Sequence, residues 1–371
     1  MKKLIQKTVI VFVLFLGINH VNAQTWNTVG DGLSSIDNLA ANVGGWLSPY
    51  RNGASLYHNG DLYVVVRDWN SNSFLFKWNG LSWRSIPCPY GSKLLLFQNE
   101  IYLTSINLLY KLNGTTWTNL NAPVVNGAFT DMEVFNNEII LGGTFSSALS
   151  DYLIKFDGTN FLAMPNTGIN TVEQIEVFNN ELYLSNSGLN MADAVLKLQG
   201  TNWVQAANYF TGTAIGTWAL SLFSFNGSLY AQNANEPAAD FSLFELGNDT
   251  LFDKGAVEFQ IMDYTQYNNE MYFVGPDSIF GPYLRKFDGT NITTIPNTPK
   301  NLISVDSVNG ELFLIGGRDS IYNGVKHNYA YRTSPNYSII DGTVYDDVNG
   351  DCFQNPSEPG IEGVIVPLVN Q

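Results

Sequence analysis

The sequence predicts an all-β protein folded as a seven-bladed β-propeller, and three observations support this prediction. A short strand-entry pattern, seen in "FNNELYLS" from Phe178, occurs seven times along the chain. Its copies lie 38 to 47 residues apart, which is close to the length of a four-stranded propeller blade. A second pattern, seen in "LIKFDGTNF" from Leu153, follows the first in most copies. Seven repeats of two hairpins each indicate seven blades stacked around an axis.

Each repeat is predicted to be an antiparallel meander of four strands. In the fourth repeat, the segments "QIEVF", "ELYLS", "AVLKLQ" and "TNWVQA" alternate between apolar and polar residues, as half-buried strands do. Asn-Gly and Asp-Gly corners between such runs favour type I′ turns, which need positive φ at both central residues. The meander places the tight corners on one face of the ring and the longer loops on the other, where we expect function.

The two ends of the repeat array predict how the ring closes. The seventh repeat supplies "LISVDSV", "ELFLIGG" and "NYAYRTS" but lacks a fourth strand. The segment "QTWNTVGDG" near the N-terminus has the missing pattern, with Trp26 at the place that Trp83, Trp117 and Trp203 take in other repeats. We therefore expect the N-terminal strand to complete the last blade and remove an open sheet edge. The propeller is assigned to residues 24–335.

Residues 1–23 have the features of a secretory signal peptide. Three lysines precede an apolar run from Val9 to Gly17, and Val21-Asn22-Ala23 is a small-residue cleavage pattern. The run is shorter than the roughly 20 residues that span a bilayer. The sequence therefore predicts a secreted or outer-surface protein, cleaved near Ala23, with no membrane insertion.

Composition narrows the classes of partner and chemistry. The net charge of −15 argues against nucleic acid, because a negative surface repels phosphate. Apart from the leader, the histidines are His58 and His327, and no HExxH, GxSxG or Gly-rich phosphate loop is present. With two cysteines, Cys88 and Cys352, the fold must be held by its core. We predict a monomer with no organic cofactor.

Aromatic residues lie beside charged ones in the segments predicted to form the long-loop face. Such a surface suits stacking on sugar rings or contact with an extracellular protein. Ordinary solvated loops, whose aromatics pack on neighbouring blades, remain an alternative. A second alternative is a secreted glycoside hydrolase or lyase that uses a pair of carboxylates on this face. The candidate ligand-binding residues are Arg67, Trp69, Phe145, Asp151, Phe280 and Tyr322.

The segment "DVNGDCFQNPSE", after the propeller, has the ligand spacing of a calcium loop. It offers hard oxygen ligands at positions 1, 3, 5, 7, 9 and 12, with a carbonyl at position 7. Cys352 stands where glycine normally allows the sharp turn, and the flanking residues have strand rather than helix patterns. We expect calcium here. The candidate ligands are Asp347, Asn349, Asp351, Phe353, Asn355 and Glu358.

Two family resemblances add expectations. The repeats resemble kelch-like secreted propellers of Bacteroidetes type, through Gly142-Gly143, Gly316-Gly317 and corners such as "FDGTNF". Copper oxidases of the galactose oxidase type share this propeller repeat pattern, but this sequence lacks their ligand set of histidines, tyrosines and a cysteine. The runs Gly342–Tyr345 and Glu358–Val366 resemble the start of an SdrD B-like, Cna B-type β-sandwich module, which we assign to residues 336–371 and expect to be truncated.

Together these resemblances imply a non-catalytic protein of the cell surface or the extracellular space. Its propeller is expected to serve in binding, adhesion or as a scaffold, with a calcium-binding β-module attached to it.

Overall fold

The computed structural model describes most of the repeat region. The described residues are 26–29, 55–67, 73–80, 82–91, 93–186, 194–211, 218–235, 240–257, 259–275, 283–299, 302–308, 310–316, 321–322, 325–326 and 330–333. The chain divides into two compact units, Met1–Ser334 and Pro335–Gln371. The predicted leader, the calcium loop and the β-sandwich module lie outside the described residues.

Seven β-sheets of at least four strands form the blades of a propeller and confirm the predicted fold class; six are meanders, and the seventh takes its fourth strand from the N-terminus. We number the blades one to seven in chain order from Ser55. The first strands are Ser55–His58, Lys93–Phe97, Phe129–Phe135, Gln174–Phe178, Trp218–Phe225, Asp263–Tyr267 and Leu302–Val308. The second strands are Asp61–Arg67, Glu100–Ser105, Glu138–Gly143, Glu181–Ser185, Ser228–Asn235, Glu270–Gly275 and Glu311–Gly316.

The third and fourth strands complete each sheet toward its outer edge. The third strands are Ser73–Trp78, Leu108–Asn113, Leu153–Phe156, Val195–Gln199, Asp240–Gly247, Tyr283–Phe287 and Ala330–Thr333. The fourth strands are Trp83–Cys88, Thr116–Asn119, Phe161–Ala163, Asn202–Gln205, Thr250–Val257, Ile292–Thr294 and, in blade seven, Trp26–Thr28. Blade five has an extra edge strand, Tyr209–Phe210, which pairs parallel to Thr250–Val257.

The N-terminal strand closes the ring, as the sequence predicted. Trp26 pairs with Thr333, and Thr28 pairs with Tyr331, in antiparallel register. The next residue continues this pairing, since the Val29 amide donates to the Ala330 carbonyl at 3.0 Å. Blade seven therefore joins the two ends of the propeller chain, and its outer edge is made by residues that precede blade one.

The first corner of each blade has the backbone conformation that its sequence predicts. In blade three, Asn136 and Asn137 have φ values of 51° and 61°. These angles fit a type I′ turn, which matches the twist of the flanking strands. The equivalent corners of blades two, four and six also place two non-glycine residues at positive φ. Asparagine tolerates this region better than most residues do.

The second corner of blade five has positive φ at both Asn248 and Asp249, as a type I′ turn requires, but the Asn-Gly and Asp-Gly second corners differ from the prediction. In blade three, only Gly158 of the Asp157-Gly158 pair has positive φ. The Asp157 carboxylate instead accepts hydrogen bonds from the backbone N–H groups of Thr159 and Asn160, both at 2.7 Å. Asp288 makes the same pair of bonds in blade six. A side-chain acceptor therefore holds these corners, as in Asx-turns.

The hydrophobic core is divided into clusters that lie between blades. Each of the seven interfaces among the described residues holds one cluster, built from the facing sides of two adjacent sheets. The cluster between blades seven and one includes Val29, Phe313, Phe76 and Trp83. A single blade cannot bury both of its faces, so its stability depends on both neighbours.

Tryptophan at the start of a fourth strand links its blade to the preceding one. The Trp83 indole N–H donates to the Val29 carbonyl at 2.9 Å, and Trp203 donates to the Pro165 carbonyl at 3.1 Å. Both acceptors lie just after the fourth strand of the preceding blade. The Trp117 indole nitrogen is buried with no hydrogen-bond partner. The repeated tryptophan is therefore a structural element of blade stacking.

Ion pairs between the second and third strands repeat around the outer part of the ring. A lysine on the third strand meets the carboxylate that opens the second strand, as in Lys155–Glu138 at 2.8 Å and Lys197–Glu181 at 2.7 Å. These side chains are partly exposed. Solvent screening makes such pairs worth about 1 kcal/mol or less. They explain the recurrent "NNE" and "LxK" letters of the repeats without any role in function.

Candidate functional site

The first strands surround the propeller axis and carry polar residues at one repeated position. First strands of neighbouring blades contact each other around the ring. The position five residues before the first corner holds a buried polar side chain in six blades, although apolar residues surround it. These residues, which we call the first tier, are Lys93, Asp131, Gln174, Ser221, Asp263 and Ser304.

The first tier ties neighbouring blades together through backbone hydrogen bonds. Asp131 accepts the amide N–H of Ile175 at 2.7 Å, and Gln174 accepts that of Leu222 at 3.0 Å. Asp263 accepts the N–H of Val305 at 3.0 Å. In each case the donor lies on the first strand of the next blade, one residue past the repeated position. The same side-chain position therefore makes the same interblade bond at three interfaces.

A second tier of acidic side chains lies two residues further along three of these strands. It consists of Glu133, Glu176 and Asp306. Glu176 accepts the N–H of Ser224 on the next blade at 3.0 Å. Glu133 and Asp306 accept the N–H of the residue that follows each of them. We call the space that the first strands enclose around the propeller axis the channel. Its two tiers carry five carboxyl groups.

Members of both tiers line a cavity of about 210 Å³ between the first strands. Several first-tier residues open their strands, which places them at the end of the channel nearer the long-loop face. Lys93 is the single cationic side chain among the described residues that line the cavity. The lining residues are Ser55, Lys93, Glu133, Gln174, Ile175, Asp263, Tyr264, Val305 and Asp306.

The positive charge of Lys93, in blade two, offsets the negative charge of the carboxyl groups of blades three and four. Its ammonium forms a buried ion pair with Asp131. Burial lowers the pKa of Lys93, but the charges of Asp131, Glu133 and Glu176 outweigh burial and raise it above its ordinary value. Asp131 also accepts the backbone N–H groups of Met132 and Ile175, so three donors surround its carboxylate. Burial nonetheless raises the pKa of Asp131 above its ordinary value, against the lowering effect of Lys93 and of the two backbone N–H groups.

Glu176 and Tyr264 form a second buried network beside that ion pair. The Tyr264 hydroxyl lies 3.1 Å from a carboxyl oxygen of Glu176 and 2.8 Å from the Leu222 carbonyl. The amide of Gln174 donates to the same hydroxyl at 3.1 Å. Burial raises the pKa of Glu176 to about 7 against the lowering effect of its hydrogen bonds, and Glu133 adds to the rise. Burial and the nearby carboxyl groups also raise the pKa of Tyr264.

The opposite half of the channel holds carboxyl groups beside serine hydroxyls. Burial raises the pKa of Asp263 to about 7, although hydrogen bonds from Ser304 and Val305 lower it and the charge of Asp306 raises it further. Burial also raises the pKa of Asp306 to about 6. Burial thus favours the neutral form of both carboxyl groups, which is how buried acids avoid the cost of an uncompensated charge.

The sequence predictions placed function on the long loops and missed the channel. The channel residues lie in segments such as "KLLLF", "DMEVF" and "QIEVF", where a polar residue fits ordinary alternation along a strand. The signal that could have found them is a polar residue at a fixed distance before the corner in successive repeats. A fixed position on the innermost strand faces the same axis in every blade.

The predicted ligand-binding residues of the long loops are not brought together by the described part of the chain. Phe145 is fully buried and packs edge-to-face on Phe129, with ring centroids 5.0 Å apart, so its ring is a core element and does not form a surface for a ligand. Asp151 is exposed, and its carboxylate accepts the N–H of Ser147 at 3.2 Å. Trp69 and Phe280 lie outside the described residues, as do the side chains of Arg67 and Tyr322.

Three large aliphatic side chains are exposed on the long-loop face of blades two and three. We call Ile106, Val125 and Leu149 the aliphatic patch; their exposed fractions are 55%, 74% and 40%. Hydrogen bonds connect the segments that carry them, since the Phe129 amide donates to the Ile106 carbonyl at 2.6 Å and the Ala148 amide donates to the Pro123 carbonyl at 3.4 Å.

A small ribbon holds the most exposed member of the patch. Strands Val124–Asn126 and Ser146–Ser147 pair antiparallel, with a register shift between Val124 and Asn126. Val125 is the extra residue of this bulge, and bulges redirect a side chain away from the sheet. Gly127 follows at φ 82°, where an added Cβ would lie 2.5 Å from the Phe145 backbone. The patch is therefore displayed by a fixed backbone.

Other candidate chemistry is limited in the part of the chain that the structure describes. Within those residues, no group of three or more His, Cys, Asp or Glu side chains could hold a metal ion. The predicted calcium ligands lie outside them. Cys88 is a free, half-buried thiol whose pKa burial raises to about 12, so it is not a nucleophile at neutral pH. Among the described segments, no helix is long and apolar enough to cross a membrane.

Comparison with known proteins supports the fold and not an activity. No protein-family model and no curated protein sequence matches the chain. YCF48 bound to a D1 peptide is 11% identical with a TM-score of 0.50, and the alignment covers 85% of this chain and 98% of that one. YCF48 from Cyanidioschyzon merolae is 10% identical with a TM-score of 0.53, covering 77% and 95%.

A puromycin-hydrolyzing peptidase of Mycobacterium tuberculosis is 11% identical with a TM-score of 0.52, covering 78% of this chain and 52% of that one. At such low identities, these likenesses indicate a shared β-propeller fold. The fold is compatible with a binding or scaffold module.

Proposed function

We propose that this protein is a secreted or cell-surface propeller, without catalytic activity, that binds an extracellular protein through its long-loop face. The aliphatic patch carries this proposal. Three exposed aliphatic side chains on hydrogen-bonded segments favour a protein partner, because protein interfaces bury apolar side chains at their centres. A glycan site would instead need exposed aromatic rings, and Phe145 does not supply one. Of the structures similar to this chain, YCF48 is described as bound to a peptide.

The channel supports a structural role for the buried carboxyl groups. A glycosidase needs one carboxyl group free to donate a proton and another free to attack or activate water. In the channel, Asp131, Glu176 and Asp263 accept backbone N–H groups of the next blade. The remaining alternative, a secreted glycoside hydrolase or lyase, would have to use carboxylates of the long-loop face, such as the exposed Asp151. It predicts turnover on a polysaccharide panel that Asp151→Asn reduces.

The binding proposal can be tested by site-specific cross-linking on cells that export the protein. A photo-reactive amino acid at position 125 or 149 should give a discrete adduct with one partner. The same amino acid at position 162 or 204, which are also exposed apolar positions but lie on fourth strands, should not. Ile106→Asp should weaken the adduct without lowering thermal stability. A glycan array that shows selective binding, lost on substitution of Trp69 or Tyr322, would redirect the proposal to a sugar ligand.

We also propose that calcium binds the acidic loop from Asp347 to Glu358. Its support is the ligand spacing of the sequence, in which six positions offer oxygen atoms. In isothermal titration calorimetry with the full chain, Ca²⁺ should bind at one site, and Glu358→Gln should weaken binding by tenfold or more, since it removes the bidentate ligand. Asp288→Asn, in a surface corner of blade six, is the matched control and should leave the affinity unchanged. Equal affinity for all three proteins would refute the site.

A further inference from the structure

A chain of four side chains crosses the junction of blades six, seven and one inside the channel. The Ser304 hydroxyl donates to the Asp263 carboxyl group at 2.5 Å. It lies 3.1 Å from the Ser55 hydroxyl, which in turn donates to Asp306 at 3.5 Å. The Val305 amide also donates to Asp263. The chain connects the inner strands beside the blade that the N-terminal strand completes.

Among the described residues, few charged groups face these four side chains. Lys93, on the first strand of blade two, is the nearest cation of the lining, and its ammonium is bonded to Asp131. The other charged groups of the neighbouring first strands are the carboxyl groups of Asp131, Glu133 and Glu176. Asp263 and Asp306 therefore share serine hydroxyls and a backbone amide rather than a cationic partner. Two ionised carboxylates in this position repel each other across a poorly solvated space.

We propose that these four side chains form a pH-sensitive contact that stabilises the closed ring. When Asp263 and Asp306 are protonated, blades six, seven and one are held together. When both protons are lost, the ring opens more readily at blade seven. A protonated Asp263 carboxyl group still has an oxygen that can accept hydrogen bonds from the Val305 amide and the Ser304 hydroxyl. Protonation also removes the negative charge of the group. The device goes beyond partner binding, because it sets how firmly the propeller is closed at a given pH.

The sign of the effect follows from proton binding in the two states. The pKa of Asp263 rises from 3.8 in the unfolded chain to about 7 in the folded protein, and that of Asp306 rises from 3.8 to about 6. The folded state therefore holds more protons between these values, so stability decreases as pH increases. The contribution is fully present below about pH 4 and is lost above about pH 7. Glu176 adds a contribution of the same sign in the other half of the channel.

Hydrogen exchange between pH 5 and pH 8 tests the proposal on the whole protein. The amide of Val29, bonded to Ala330 at the closure, should lose protection by roughly tenfold or more after correction for intrinsic exchange, as expected for one or more units of pKa shift. Amides of the strand Leu108–Asn113 in blade two, which carries none of the buried channel carboxyl groups, should lose less. In the double variant Asp263→Asn with Asp306→Asn, the protection of Val29 should become nearly independent of pH.

Two comparisons keep this test decisive. Asparagine has the shape of the neutral acid and retains an oxygen for the Val305 amide, so the variants should fold. Ser55→Ala is a second, milder change in the same hydrogen-bonded side chains. Glu176→Gln removes a titrating group from the other half and should leave the pH dependence at Val29 in place. The proposal is wrong if the double variant keeps the wild-type pH dependence of Val29 protection, or if Glu176→Gln alone abolishes that dependence.

Discussion

At the scale of single residues, the recurring letters of the repeats have structural causes. Two of the fourth-strand tryptophans, Trp83 and Trp203, span two blades by a hydrogen bond from the indole nitrogen, as Trp83 does to Val29. The polar residue five positions before the first corner does the same through a carboxyl or amide group, as Asp131 does to Ile175. Both devices satisfy backbone groups at interfaces where no sheet hydrogen bond is available.

The indole bond of Trp83 predicts a measurable difference between two otherwise similar substitutions. Trp83→Phe removes the hydrogen bond at the closure and leaves the buried Val29 carbonyl without this donor. Trp117→Phe removes an indole nitrogen that has no partner. We expect Trp83→Phe to lower the free energy of unfolding by about 1–2 kcal/mol more than Trp117→Phe does, measured by urea denaturation. Equal losses would show that ring volume, and not the hydrogen bond, matters at this position.

At the scale of strands and corners, sequence patterns predicted much of the architecture. Alternating runs separated by Asn-Asn or Asn-Gly define where each strand begins, because short-range sterics decide the turn conformation. The second corners were harder to predict, since an Asp or Asn side chain can hold a turn by accepting N–H groups, as Asp157 does. The channel was missed because a strand pattern does not show which strand of a sheet lies next to the axis.

The positive φ of the first corners leads to a prediction for blade three. Asn137 has φ 61° and is exposed, so Asn137→Val tests backbone strain with little change in packing. A β-branched residue at this angle should reduce stability by about 1–2 kcal/mol. Asn137→Gly should be close to neutral, because glycine adopts this region freely. Thermal unfolding of the two variants checks the expectation, and a Val variant as stable as the Gly variant would contradict the turn assignment.

At the scale of the whole molecule, the ring depends on a pairing between its first and last strands. Trp26 is 4% exposed and belongs to the core cluster between blades six and seven. The closing strand therefore contributes a buried side chain as well as backbone hydrogen bonds. The fold class was predictable from the repeat number and from the position of Trp26, while the charge arrangement of the channel needed all seven blades in place.

Removal of the closing strand should have effects far from the N-terminus. A chain that begins at residue 30 leaves the strand Ala330–Thr333 as an unpaired edge. We expect a lower midpoint of thermal unfolding and self-association through this edge, measured by differential scanning fluorimetry and light scattering. A synthetic peptide of residues 24–30, added in excess, should restore part of the stability. A truncated chain that stays monomeric and as stable as the parent would contradict this account of closure.

The pairing of Trp26 with Thr333 also imposes an order in time. During synthesis the first strand emerges long before its partner exists, and it stays unpaired while the rest of the propeller is produced. Loop-closure entropy also makes such distant pairing slow. Until it pairs, the first strand exposes the Trp26 side chain and backbone groups that lack their sheet hydrogen bonds. We therefore expect the nascent chain to need shielding at that segment, as a chaperone provides, until the last blade has been made.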